Sequence, residues 1–129
     1  MDLGHTNDRL RVLVVDDDPD TADCTATLVT LAGFDVRLAT SGEEALRLAE
    51  ECPPDVVVFD LLMTGMDGGD VAEHFRNQAG GRRPFLVAVT GGPRWRSAAA
   101  GVDLHLDKPV EPAVLVGALR RFARLLTPA

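Results

Sequence analysis

VVVFDLLMTGMDG, from Val56 to Gly68, decides how the rest of the chain is read. It opens as an unbroken apolar run rich in β-branched residues, the composition of a strand covered on both faces. The run stops at a carboxylate, Asp60. A loop containing Gly65 follows, and Asp67-Gly68 then opens a helix. Such a strand belongs inside a parallel sheet, and open α/β sheets bind ligands just beyond the carboxyl ends of their strands. Asp60 therefore stands where chemistry is expected, although a lone aspartate after a strand is more often only a cap.

Toward the N-terminus, Arg11 to Val15 is a short β-branched run ending in Asp16, Asp17 and Asp18. Pro19 suits the first turn of a helix with Asp18 as its cap. Ala22, Ala26 and Val29 recur at helical spacing, and Gly33 supplies a stop. Phe34 to Ala39 reads as a strand. Ser41-Gly-Glu-Glu44 is a capping box that starts a second helix, with Ala45, Leu48 and Ala49 inward, and Pro53-Pro54 ends it.

Beyond the central stretch, a helix runs from about Asp67 to Gln78, and Gly80-Gly81 breaks the chain. Phe85 to Val89 forms a strand ending at Thr90. Gly91-Gly92-Pro93 turns into a very short helical patch around Arg94 to Ala100. Asp103 to Leu106 is a fifth, weaker strand, followed at once by Lys108-Pro109. Pro112 opens the last helix, whose apolar stripe is Leu115, Leu119, Phe122 and Leu126.

Strands thus alternate with helices five times, which predicts an α/β fold with a parallel sheet covered on both faces. Right-handed crossovers leave few topologies. The flavodoxin-like, doubly wound order 2-1-3-4-5 fits best, because the first and third strands are richest in apolar residues and belong at the centre. Residues 1–9 lack periodicity and read as a flexible tail, leaving 10–127 as one domain.

Hydrophobic residues make up 46% and charged residues 26% of the 129, ordinary proportions for a globular chain with one core. No apolar run approaches the roughly 20 residues of a membrane span, and the N-terminus lacks the zones of a signal peptide. Cys24 and Cys52 have no metal-type spacing and read as reduced packing residues of a cytoplasmic protein. A net charge of −7 argues against nucleic acid as a direct partner. Of 13 basic residues, Lys108 is the single lysine. An arginine-rich chain that keeps one compact, rotatable ammonium at a strand end marks that position as a candidate site residue.

Four strands end in polar chemistry: VLVVDDD, VVVFD, FLVAVT and LHLDK. Neighbouring strands lie about 4.8 Å apart, so the predicted order places Asp16, Asp17 and Asp60 side by side, with Thr90 and Lys108 further along the same edge. Carboxylates this close raise one another's pKa unless a cation neutralises them. Oxygen-only ligands favour a hard ion such as Mg²⁺. A hydroxyl and an ammonium facing that ion suit the remaining oxygens of a transferred phosphoryl group.

With these residues in place, the chain resembles the receiver domain of two-component response regulators over roughly residues 10–127, through VLVVDDDP, VVVFDLLMTGMDG, VAVTGG and LDKP. The resemblance implies that Asp60 accepts a phosphoryl group from a phosphohistidine of a sensor histidine kinase or histidine phosphotransfer protein. It implies Mg²⁺ bound by Asp17, Asp60 and the backbone carbonyl of Leu62, with Asp16 acting through water. Thr90 would hydrogen-bond one phosphoryl oxygen and Lys108 pair with another. A cis bond is implied at Lys108-Pro109. The output would be a conformational switch through Thr90 and the fifth strand to a downstream protein, so the chain is better described as a switch than an enzyme.

Several positions depart from that pattern. Thr64 stands where a proline is usual. His105 occupies the place of the switch aromatic; it could move inward as that ring does, or simply sit half-buried at a sheet edge. The interval from Thr90 to Gly101 is shorter than usual, so the fourth helix must be stunted or replaced by a loop. Trp95 in that interval is expected to pack onto the shortened core, with an exposed partner anchor as the alternative. Leu62 replaces a commonly polar side chain and would hinder an attacking water. Two other functions use the same residues. One is a haloacid-dehalogenase-type phosphatase with Asp16 as nucleophile and Asp18 as acid, which would need a further acidic motif after Lys108. The other is a phosphorylation-independent docking module.

Overall fold

The computed structural model describes residues 9–63, 65, 67–78 and 83–126. Five strands, β1 (Arg11–Val15), β2 (Asp35–Ala39), β3 (Val56–Phe59), β4 (Phe85–Thr90) and β5 (Leu104–Asp107), alternate with five helices. These are α1 (Pro19–Leu31), α2 (Gly42–Glu51), α3 (Gly68–Arg76), α4 (Arg94–Ala100) and α5 (Pro112–Leu126). All strand pairs are parallel, in the order β2-β1-β3-β4-β5. The chain therefore has the flavodoxin-like order that the apolar content of its strands predicts.

The alternation of strand side chains divides the core in two. Leu13, Val15, Val57, Phe59, Leu86 and Ala88 face α2 and α3 with Val71, Ala72 and Phe75. Val12, Val14, Val56, Val58, Val87 and Val89 form the other layer with Val29, Leu115 and Leu119. Every residue of β3 is buried, as its unbroken apolar run requires.

Local chemistry sets the helix ends. Asp18 caps α1, its carboxylate accepting from the Asp20 N–H and the Thr21 hydroxyl. Ser41 caps α2 through the Glu44 N–H, while Glu44 reaches back to the Thr40 N–H. Asp67 and Asp70 close a reciprocal capping box on α3. Gly101 ends α4 in the left-handed conformation, with φ of 75°.

Two expectations are corrected. Cys24 does not pack inside: it is exposed on α1, while Cys52 is half-buried at the end of α2, and both are free thiols. Trp95 does not pack onto the core either, being 65% exposed with the Arg96 guanidinium 5.3 Å from its ring centre. A helix of seven residues presents few positions inward, and here Ser97 is the one that is fully buried. Among the described residues no helix is long and apolar enough to cross a membrane. The expectations for residues 1–8, Thr64 and Gly80-Gly81 lie outside the described residues.

Candidate phosphoryl-acceptor site

The parallel ladder carries each candidate residue one step past its strand. The Asp16 N–H donates to Ala39 O at 3.1 Å, Asp60 N–H to Val15 O at 3.2 Å, and Lys108 N–H to Thr90 O at 3.1 Å. Backbone hydrogen bonds of the sheet thus fix all three at its carboxyl edge.

There the side chains meet. Lys108 Nζ donates to Asp16 Oδ2 and to Asp60 Oδ2, both at 2.9 Å. The side chains of Asp16 and Asp60 are only 9% and 10% exposed, and that of Lys108 is 27% exposed. The other carboxylate oxygens are held by the backbone. Asp16 Oδ1 accepts from the Asp18 N–H at 3.0 Å, and Asp60 Oδ1 from the Leu62 N–H at 2.9 Å. Four hydrogen bonds therefore orient two buried carboxylates around one ammonium. Burial pulls the Lys108 pKa down, but hydrogen bonds and charge from Asp60 and Asp16 outweigh it and hold the ammonium above the usual lysine value. The same three residues line a cavity of about 530 Å³ that continues between Val14, Val58, Val89 and Val110.

Thr90 is fully buried at the end of β4, and its Oγ1 accepts from the Gly92 N–H at 3.1 Å. A hydroxyl used this way keeps its own proton for donation. Leu62, two residues past Asp60, is 46% exposed. The Lys108-Pro109 bond is cis. His105, on β5, has a side chain only 6% exposed, so the imidazole points inward.

Asp16 and Asp60 come together, but among the described residues no group of three His, Cys, Asp or Glu side chains is gathered as a metal-ligand set. The ammonium lies between two of the carboxylates. The donor chemistry still fits Mg²⁺, which takes one or two carboxylates and fills its shell with water and phosphate oxygens. Asp18, needed as an acid by the phosphatase reading, is the cap of α1. Its hydrogen bond from Thr21 foremost, against some burial and aided by Asp20 N–H and the charge of Lys108, holds its carboxyl below the ordinary range.

The sequence reading missed what Gly68 does. A Cβ at this position would lie 2.4 Å from Asp60 O and from Leu61 Cα. Glycine here lets the start of α3 press against the backbone of Asp60 and Leu61. The signal was visible only as an Asp-Gly at a helix start, which ordinary capping already explains.

Comparison with known proteins agrees with this geometry. The model of the response regulator receiver domain matches residues 12–120. The DNA-binding response regulator MtrA of Mycolicibacterium smegmatis is 35% identical over 117 residues, covering 90% of this chain and 51% of that protein. The chain thus spans about half the length of the curated relatives it matches first. A 14.6 kDa protein of Leptolyngbya boryana is 33% identical, covering 93% of this chain and 95% of its own length. Among solved structures, a putative response regulator from Chloroflexus aurantiacus superposes with a TM-score of 0.81 at 31% identity, covering 90% of this chain and 98% of that one. A CheY-like receiver domain from Methanospirillum hungatei gives 0.80 at 26% identity, with 91% and 95% covered. The chain belongs to the response regulator receiver domain family.

Proposed function

We propose that Asp60 accepts a phosphoryl group from a phosphohistidine of a sensor kinase or phosphotransfer protein, and that residues 10–127 then switch conformation to signal to a downstream protein. The observation that supports this most is the single lysine of the chain placed 2.9 Å from both buried carboxylates at the sheet edge. Asp60 attacks phosphorus, an O–P bond forms, and the P–N bond of the phosphoimidazole breaks as the imidazole leaves and takes up a proton. Lys108 exchanges a carboxylate partner for an equatorial phosphoryl oxygen, and Thr90 donates its hydroxyl proton to another. A divalent ion would be held by Asp17, Asp60 and the Leu62 carbonyl, with Asp16 acting through water, and would supply further charge neutralisation. The movement of Thr90 is passed to β5, where His105 sits.

The test is intact mass after incubation with Mg²⁺ and a small phosphodonor. The wild type gains the mass of one phosphoryl group and Asp60→Asn does not. A wild type left unmodified by a competent donor refutes the acceptor role and leaves the docking module.

A further inference from the structure

The layer between α1, α5 and the sheet is not filled to its carboxyl end. Further from that end, Val29 of α1 and Leu115 and Leu119 of α5 close it in one apolar cluster with the strands. One turn before Val29, α1 offers Thr21, Cys24 and Thr25, which share a face at helical spacing and are too short to span the gap. A cavity of about 530 Å³ is the result. Val14, Val58 and Val89 of the sheet line it on one side, and Pro109 and Val110, ahead of α5, on another. Residual volume beside a packed core costs stability. Aliphatic walls with a few polar groups gathered at one end are the usual construction of a small-molecule site.

The polar end has a sign. Asp16, Asp60 and, from the first turn of α1, Asp20 stand there against the ammonium of Lys108. Three carboxylates and one cation leave a surplus of negative charge at the mouth of an apolar chamber. The four hydrogen bonds that hold Asp16 and Asp60 still leave lone pairs on their oxygens. An anionic guest is repelled, and a neutral one leaves the surplus uncompensated. A protonated amine compensates it and supplies N–H donors to the carboxylates.

We propose that this cavity binds a small primary amine, its ammonium among Asp16, Asp20 and Asp60 and its aliphatic or aromatic body between the valines, and that the bound amine shields Asp60 from a phosphoryl donor. Binding stands on the cavity and its charges alone, whereas the effect on phosphorylation rests on the acceptor reading above. The ammonium takes up lone pairs of the carboxylate that must attack phosphorus, so the nucleophile is masked while the amine is bound. A divalent ion, which would use the same carboxylate, competes with the amine.

Hexylamine, hexanol and hexanoate are the probes, with binding to the full chain read from the methyl NMR signals of Val14, Val58, Val89 and Val110 at neutral pH, where the amine is protonated. Hexylamine is expected to shift those methyls, with affinity rising about threefold per methylene from propylamine to hexylamine. It should bind about tenfold tighter than hexanol, and hexanoate should shift none of them. Asp20→Asn should weaken hexylamine about threefold and leave hexanol unchanged. Thr25→Leu puts an aliphatic side chain into the cavity from outside the acceptor set and should abolish the shifts. Phosphorylation is followed by intact mass with phosphoramidate, a donor that cannot acylate the amine. Saturating hexylamine should slow the wild type several-fold and leave Thr25→Leu at its own unliganded rate. Methyls that stay still up to tens of millimolar hexylamine, or move equally in Thr25→Leu, overturn the site. Hexanol or hexanoate binding as tightly as hexylamine overturns the choice of an amine, and an unchanged wild-type rate at saturation overturns the shielding of Asp60. A wild type that is never phosphorylated refutes the acceptor reading alone, because the NMR arm still decides the cavity.

Discussion

Replacing Lys108 with methionine keeps the length of the side chain and removes its charge. Asp16 and Asp60 each lose a hydrogen bond of 2.9 Å, and no cation then stands between them. Their oxygens lie no more than about 6 Å apart, since both touch the same nitrogen, so they repel by about 3 kcal/mol at an effective dielectric near 20. Breaking a fully buried pair costs about 3–5 kcal/mol. Lys108 is 27% exposed, and water screens part of that. A loss of about 2 kcal/mol at pH 8 follows, or roughly a 1 M fall in the urea midpoint at an unchanged slope of about 2 kcal/mol/M. The pH dependence has a definite sign. The ammonium is held above its ordinary value in the fold, so its contribution is complete below the unfolded lysine pKa of about 10.4 and is lost as pH rises through the folded value. Urea unfolding of wild type and Lys108→Met, each alone and in an Asp16→Asn/Asp60→Asn background, is the assay. The loss should shrink to below about 0.5 kcal/mol once both carboxylates are neutral. An equal loss in both backgrounds would show that the lysine stem, not the shared charge, holds this edge together, and would refute the reasoning.

Gly68→Ala places a Cβ 2.4 Å from Asp60 O and Leu61 Cα, so it should destabilise by about 1–3 kcal/mol in urea and slow phosphorylation by displacing the acceptor backbone. Leu62→Asn exchanges an exposed apolar side chain beside the acceptor for one that can orient water; the phosphorylated form should lose its group several-fold faster by intact mass, and an unchanged lifetime would remove Leu62 as the barrier. Trp95→Ala should leave the unfolding free energy from urea titration within about 0.5 kcal/mol of wild type, because the ring is exposed and contributes no core packing.

Sheet order and the residues at its edge were legible because they depend on the crudest signals in a sequence. An apolar run closed by a carboxylate can only be an inner strand, and parallel pairing then fixes which strand ends are neighbours. The partner of each carboxylate was not legible. Neighbouring strand ends bring the acidic residues to one edge, but the position of the ammonium depends on how the chain leaves β5, and composition does not encode that path. Trp95 was misread for a similar reason. Periodicity assigns a face to a side chain only when the helix is long enough to have one, and seven residues in α4 give less than two full faces. Gly68 was hidden because the close approach it permits is to the backbone of Asp60 and Leu61 across an intervening loop, and no side-chain pattern reports such a contact.

The division between what was legible and what was not follows the architecture. Asp16 and Asp60 extend strands with a hydrogen-bonded neighbour on each side, so sheet geometry alone puts them within reach of one ammonium. β5 has a single neighbour, β4, and its outer side is an edge. A short α4 and a polar residue at His105 change what that edge presents, while β1 and β3 are each held by a neighbour on both sides. Substitution at the edge can therefore rebuild the output side while the acceptor chemistry is left standing. The expectation follows that His105→Phe shifts the equilibrium of the switch far more than it shifts the urea midpoint. A loss of stability comparable to that of Lys108→Met would mean that edge and centre form a single unit, and the separation argued from the sheet order would fail.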